Sequence, residues 1–190
     1  TQGSDKQRHE RSRKMMLWLG IASLIMGFAG WTSAYIISSK REDWLQDLEL
    51  PTAFLMSTIL LVISSITYIM AKRGVKANNQ KNATKWLWAT LVLGLMFIGL
   101  QFYGFSQLLG KGYYFTGPTS NIKMSFVFLI AFVHILHVVA GLISLGVVLV
   151  QQIRRKYGPE NLLGLELGAT FWHFLDILWI YLVLFMYFVK

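Results

Sequence analysis

The chain has 190 residues, 55% of them hydrophobic and 14% charged, with a net charge of +9 and no cysteine. Soluble domains average about 25% charged residues, so the composition points to lipid, and the lack of cysteine excludes a disulfide framework and any Cys-based metal or redox centre. No nucleic-acid motif or aromatic-basic platform accompanies the positive charge, which leaves nucleic acid out as a partner.

The first segment, 1–14, is polar and carries Lys6, Arg8, Arg11, Arg13 and Lys14. The apolar run behind it is of full transmembrane length and has no small-residue cleavage site, so 1–14 is expected to be a retained basic cytoplasmic tail rather than a signal peptide. His9 within it is expected to be solvated. Apolar runs then follow at 15–38, 50–71, 86–109, 125–150 and 163–189. Each is close to the roughly 20 residues that carry a helix across a bilayer core of about 30 Å. Runs this long are too long for barrel strands, and a backbone in lipid must satisfy its own hydrogen bonds, so they are expected to be helices. The sequence therefore predicts an all-α integral membrane bundle of five helices, forming one transmembrane domain over 15–190. Pro51 suits the first turn of the second helix, where its missing N–H costs nothing.

Lys and Arg in short loops stay preferentially in the cytoplasm. Lys72, Arg73, Lys76, Lys81 and Lys85 lie between the second and third runs, and Arg154, Arg155 and Lys156 between the fourth and fifth. The other side holds Lys40, Arg41, Lys111, Lys123 and Lys190, together with the acidic Glu42, Asp43, Asp47 and Glu49. The basic segments share a side only if the N-terminus is cytoplasmic and the C-terminus periplasmic.

Ionisable groups inside a membrane are costly and mark function or specific packing. Here they are His134 and His137 in the fourth run, and Glu166, His173 and Asp176 in the fifth. The spacing of His134, His137 and Gly141 predicts one helix face with two imidazoles and a bare backbone, open to a close partner helix. On the fifth run, Glu166, His173 and Asp176 form a polar stripe expected to face protein, with Leu167, Phe174, Leu178 and Phe185 expected to face lipid. At 1.5 Å per residue, His137 and Asp176 each lie roughly 20 Å from the inner ends of their helices. A hydrogen bond from a fourth-helix histidine to Asp176 is therefore expected, since an unpaired carboxylate there costs several kcal/mol, on the order of a lost ion pair, or is neutralised.

Other chemistries fit less well. Histidines on the fourth and fifth runs could supply opposed axial ligands to a haem, making a bis-histidine haem b protein. A second histidine pair is absent, and so is the paired Glu-x-x-His of a di-iron site. A small transporter would show inverted repeats and broken helices, whereas these runs are unbroken. Trp172 and Trp179, seven residues apart, read as packing or interface anchors. Gln101, Tyr103, Ser106 and Gln107 make the outer end of the third run polar and are expected to bond neighbouring helices. No phosphate loop, activated nucleophile or carboxylate pair is present.

Taken together, the stretches Ala131-Phe-Val-His-Ile-Leu-His137-Val-Val-Ala-Gly141-Leu and Phe171-Trp-His-Phe-Leu-Asp176-Ile-Leu-Trp179 resemble the third subunit of the haem-copper terminal oxidases. Weaker similarity runs through Leu50-Pro51, Ser64-Ser-Ile-Thr-Tyr68 and Gly94-Leu-Met-Phe-Ile-Gly99. The resemblance implies an accessory subunit that binds no redox metal, while partner subunits I and II carry the haems and copper that reduce oxygen to water. It implies support of proton uptake and of the stability of the catalytic subunit, with cytochrome c oxidase as the first reading and quinol oxidase as the alternative. The five-helix form implies a bacterial cytoplasmic membrane. Bound phospholipid and a larger respiratory supercomplex are further candidate companions. His134, His137, Glu166, His173 and Asp176 match the family pattern. Two carboxylates common in the family are missing: residues 22–33 carry none, and Gly104 stands where the third helix commonly has Glu.

Overall fold

The computed structural model describes residues 2–42, 52–110, 122–155 and 163–188, the side chains at 52, 53 and 122–124 excepted. These form five α-helices: α1 Gln2–Ser38, α2 Thr52–Lys76, α3 Gln80–Gly110, α4 Ile122–Ile153 and α5 Leu163–Phe188. All five are long and apolar enough to cross a membrane. Pro51, Asp43, Asp47, Glu49, Lys111, Lys156, Lys190 and the side chain of Lys123 lie outside the described residues.

Several helices outrun their apolar windows. α1 continues back through the basic segment to Gln2, and α2 and α3 absorb most of the basic stretch between them. Lys, Arg and Gln are good helix formers, and a helix once started gains one hydrogen bond per added residue whether or not lipid surrounds it. Only residues 77–79 remain as the α2–α3 turn. Asn78 adopts φ 59°, a left-handed conformation that Asn tolerates. The turn is closed by Asn79 N–H donating to Gly74 O at 2.8 Å and Asn78 N–H donating to Val75 O at 3.0 Å. A side chain at Gly74 would begin 3.2 Å from the Ala83 backbone nitrogen, so glycine is what lets α2 and α3 close into a tight hairpin.

Helices α2, α3, α4 and α5 form a ring in which each packs against two ring neighbours; α1 lies outside it, against α4 and α5 only. Neighbours around the ring run antiparallel, as short connections require. Large side chains fill the centre: Phe54, Leu61 and Tyr68 from α2, Leu87 and Phe97 from α3, Trp172 and Trp179 from α5, all within 2% of complete burial. The outward faces are apolar too, for example Ile59, Leu95, Ile143 and Leu184, as expected of a surface solvated by lipid tails.

Candidate functional site

A run of the interior's polar residues lies along the seam between α2 and α5. Along α2, Ser57 and Thr58 recur seven residues later as Ser64 and Ser65, so both pairs lie on one face. Trp172 and Trp179 repeat at the same interval on the antiparallel α5, and the two registers meet. Trp172 Nε1–H donates to Ser64 Oγ at 3.0 Å, and Trp179 Nε1–H donates to Thr58 Oγ1 at 3.0 Å. The α2 hydroxyls remain free to accept because they spend their own hydrogens on backbone carbonyls of their helix, Ser64 on Leu61 O at 2.6 Å and Thr58 on Phe54 O at 2.8 Å. Both indoles are buried core residues, so they pack the bundle and do not anchor it at a headgroup layer.

Between these contacts lie the ionisable groups. Asp176, 4% exposed, accepts at Oδ2 from the Ser65 hydroxyl. His173 Nδ1 stands 3.1 Å from the same Ser65 oxygen. The chain His173–Ser65–Asp176 corrects the expected bond from a fourth-helix histidine to Asp176. Helix α5 turns Asp176 toward α2, and the α4 histidines reach other partners. His134, fully buried, brings Nε2 to 3.1 Å from Leu175 O and stacks at 4.8 Å on Trp179. His137 brings Nδ1 to 2.7 Å from Val133 O of its own helix and meets the ring of Phe28 on α1 edge-on at 5.8 Å.

The expected single face of His134, His137 and Gly141 therefore splits. The three lie within about 60° of one another around the helix, but only His134 and Gly141 meet α5, at Leu175 and Trp172, while His137 at the edge of the face meets Phe28 of α1. A side chain at Gly141 would begin 3.0 Å from Leu175 Cδ1 and 3.3 Å from Trp172 Cε3. Glu166 stands apart from the mid-membrane groups, partly exposed and 3.9 Å from Lys14 Nζ on α1. The fifth helix also shows a different outward stripe from that expected: Leu178 is buried, while Ile177, Tyr181 and Leu184 are exposed. Burial on α5 follows three neighbours, α1, α2 and α4, and this leaves a narrower free arc than hydropathy alone predicts.

Among the other polar groups, Gln101 on α3 donates Nε2–H to Ser57 Oγ at 2.7 Å, while Tyr103 and Ser106 are exposed. Thr67 and Thr90 join α2 to α3 at 2.7 Å, and Gln152 of α4 donates to Gln80 of α3. Four buried acceptor positions have no hydrogen-bond partner among the described residues: Gln101 Oε1, His134 Nδ1, Gln152 Oε1 and Asp176 Oδ1. Among the described residues, no three or more His, Asp or Glu side chains group where they could hold a metal ion. The α2 hydroxyls are the functional partners that the sequence reading passed over. Their signal was the matched seven-residue spacing of hydroxyls and indoles.

The family model for cytochrome c oxidase subunit III matches residues 19–190. The chain is 36% identical over 132 residues to the cytochrome bo(3) ubiquinol oxidase subunit 3 of Pseudomonas aeruginosa, a match covering 70% of this chain and 61% of that protein. It is 33% identical over 138 residues to the cytochrome c oxidase subunit 3 of Alkalihalophilus pseudofirmus, covering 73% of this chain and 66% of that one. The chain thus spans somewhat under two thirds of both of these relatives. With the cytochrome c oxidase subunit 3 of Thermostichus vulcanus it shares 27% identity over 186 residues, covering 94% of this chain and 88% of the relative. A five-helix membrane bundle whose α4 and α5 sequences interlock as described, matched by that family model over nearly its whole length, belongs to the subunit III family of the haem-copper terminal oxidases.

Proposed function

We propose that this chain is the accessory, metal-free subunit III of a proton-pumping terminal oxidase that reduces oxygen to water. It assembles with a catalytic subunit I and a subunit II, which hold the haems and copper, and it supports proton uptake and the stability of the catalytic subunit. It forms one transmembrane domain over 15–190 with a basic tail at 1–14. The N-terminus is cytoplasmic, the C-terminus periplasmic, and the membrane is the cytoplasmic membrane of a bacterium. The observation that carries this reading is the family match over 19–190.

Cytochrome c is the donor in the first reading. Quinol is the second, supported by the 36% identity to a ubiquinol oxidase subunit. Gentle detergent purification, followed by identification of co-migrating chains and a visible spectrum, tests the proposal. Co-purification with subunits I and II and an oxidase spectrum from the complex is the expected result. Isolation of this chain alone with its own haem b spectrum overturns it.

A further inference from the structure

Asp176 is buried, yet it is connected. The Ser65 hydroxyl lies between its Oδ2 and Nδ1 of His173, 3.1 Å from the latter, and His173 is partly exposed. From these three residues, groups that hold or pass protons continue toward one end of the bundle. On α2, Ser65, Tyr68 and Lys72 share a face. The ring of Tyr68 meets that of His173 edge-on at 6.1 Å, and a side chain at Gly168 of α5 would begin 2.6 Å from the Tyr68 hydroxyl. On α5, steps of three and four residues lead from His173 to Thr170 and Glu166, both partly exposed, and Glu166 meets Lys14. In the other direction α5 gives the interior Trp179, Leu182, Val183 and Met186, none of which takes up a proton. Oδ1 of Asp176 has no hydrogen-bond partner among the described residues.

The same heavy-atom positions hold two arrangements of hydrogens. A hydroxyl has one hydrogen to donate and accepts as well, so the chain runs in one direction or the other. With Asp176 ionised, Ser65 donates to Oδ2 and accepts from His173 Nδ1–H, and Nε2 of the neutral ring is bare. With Asp176 protonated, the carboxyl donates to Ser65, Ser65 donates to Nδ1, and Nε2 carries the ring hydrogen. Passing from the second arrangement to the first moves one proton. The carboxyl O–H bond breaks as an O–H bond forms on Ser65, and the original Ser65 hydrogen passes to Nδ1. The imidazolium so formed then releases its Nε2 hydrogen. Asp176 gains one negative charge, Ser65 and His173 end neutral, and a single proton leaves; the reverse order loads the carboxylate.

We propose that Ser65 and His173 form a proton relay that exchanges Asp176 with the aqueous phase at the basic end of the bundle, making Asp176 a proton-holding site open on one side only. The relay is complete within this chain and needs no residue of another subunit. Tyr68 and Lys72 are the ionisable groups that α2 brings beside it, and Lys72 bears electrostatically on the His173 ring. The remaining ionisable groups packed around α5 are otherwise engaged. From α4, His134 meets Leu175 O and His137 meets Val133 O. From α1, Lys14 meets Glu166 and Tyr35 packs on Phe185.

The test follows deuterium entering Asp176 by infrared spectroscopy, using the chain purified with its partners, reconstituted in lipid and transferred to heavy water. The Asp176 carboxylic-acid C=O band is the one that Asp176→Asn removes. His173→Gln keeps a hydrogen-bonding group beside Ser65 but cannot take up and release a proton, and it should slow the exchange several-fold. Ser65→Ala should do the same, and Ser65→Thr, which keeps the hydroxyl, should exchange at the original rate. Tyr181→Phe, which removes a hydroxyl from the exposed face of α5 beyond Asp176, should leave the rate unchanged. A merely structural part for His173 and Ser65 predicts the opposite sign, since a loosened bundle exchanges faster. An unchanged or faster rate in His173→Gln and Ser65→Ala would therefore overturn the relay. Slowing by Tyr181→Phe would overturn its one-sidedness, and absence of any band lost in Asp176→Asn would overturn Asp176 as a proton-holding site.

Discussion

A side chain at position 94 of α3 would begin 2.8 Å from Cη2 of Trp172 on α5 and 2.7 Å from Cδ2 of Leu142 on α4. Leu142 can rotate away. Trp172 cannot, because it is 2% exposed and its indole N–H is tied to Ser64 at 3.0 Å. Gly94→Ala should therefore destabilise the bundle by about 1–3 kcal/mol, the usual range for overpacking. Gly27→Ala on α1, with nothing within 4 Å of the added carbon, should be neutral or slightly stabilising, since Ala is the better helix former by about 1 kcal/mol. Thermal unfolding in detergent compares them. Equal effects would mean that the α3–α5 approach is looser than described.

The indole of Trp179 and the hydroxyl of Thr58 form the other α2–α5 tie, and Thr58→Val removes the acceptor at nearly constant volume. Hydrogen bonds between membrane helices average about 0.6 kcal/mol with an upper end near 1.7. The ring of Trp179 also packs on Phe54, Phe97 and His134, with centroids at 5.9, 5.6 and 4.8 Å, contacts that a phenylalanine would largely keep. A double-mutant cycle of Thr58→Val with Trp179→Phe should give a coupling of about 0.5–1.5 kcal/mol. A coupling near zero would show that packing alone sets this register.

Ser65 and Asp176 do not contribute symmetrically. Without Asp176, Ser65 can turn its hydrogen to its own helix backbone, as Ser57 does to Phe54 O at 2.7 Å. Without Ser65, Asp176 is left with no partner on either oxygen, since Oδ1 already has none. Ser65→Ala should thus cost about 1–3 kcal/mol, while Asp176→Leu should change unfolding little, as apolar replacement of a buried charged group often does. Unfolding midpoints in detergent compare the two variants, and equal losses would mean that the two residues contribute symmetrically.

Apolar run length made the five helices readable in the sequence, because lipid imposes both a minimum length and an internally bonded backbone. Their ends were less readable. Hydropathy sees Lys81 and Lys85 as a loop, whereas the helix at Gln80 needs only backbone hydrogen bonds to continue through them. The ionisable residues of α4 and α5 stood out because charge is rare at that depth, but their partners did not. A polar side chain in a helix has several neighbours within reach, and which one it meets depends on the rotation of α5. That rotation is set by Trp172 and Trp179 finding Ser64 and Thr58. Small hydroxyl residues on α2 carry little hydropathy signal, so the pairing of Asp176 with Ser65 rather than with a histidine was visible only in three dimensions.

The proposed orientation in the membrane rests on the side on which the cations lie. Lys72, Arg73 and Lys76 end α2, Lys81 and Lys85 begin α3, and Arg154 and Arg155 follow α4. Antiparallel packing puts all of these at the same end of the ring as Lys14 of α1. Short basic segments of this kind are retained in the cytoplasm. The chain has no cysteine, so a single introduced thiol reports one position without background. In spheroplasts treated with a membrane-impermeant maleimide, Ala77→Cys in the α2–α3 turn should react only after permeabilisation. Glu42→Cys, exposed just beyond α1, should react at once. The reverse pattern would place the N-terminus outside and remove the charge argument for topology.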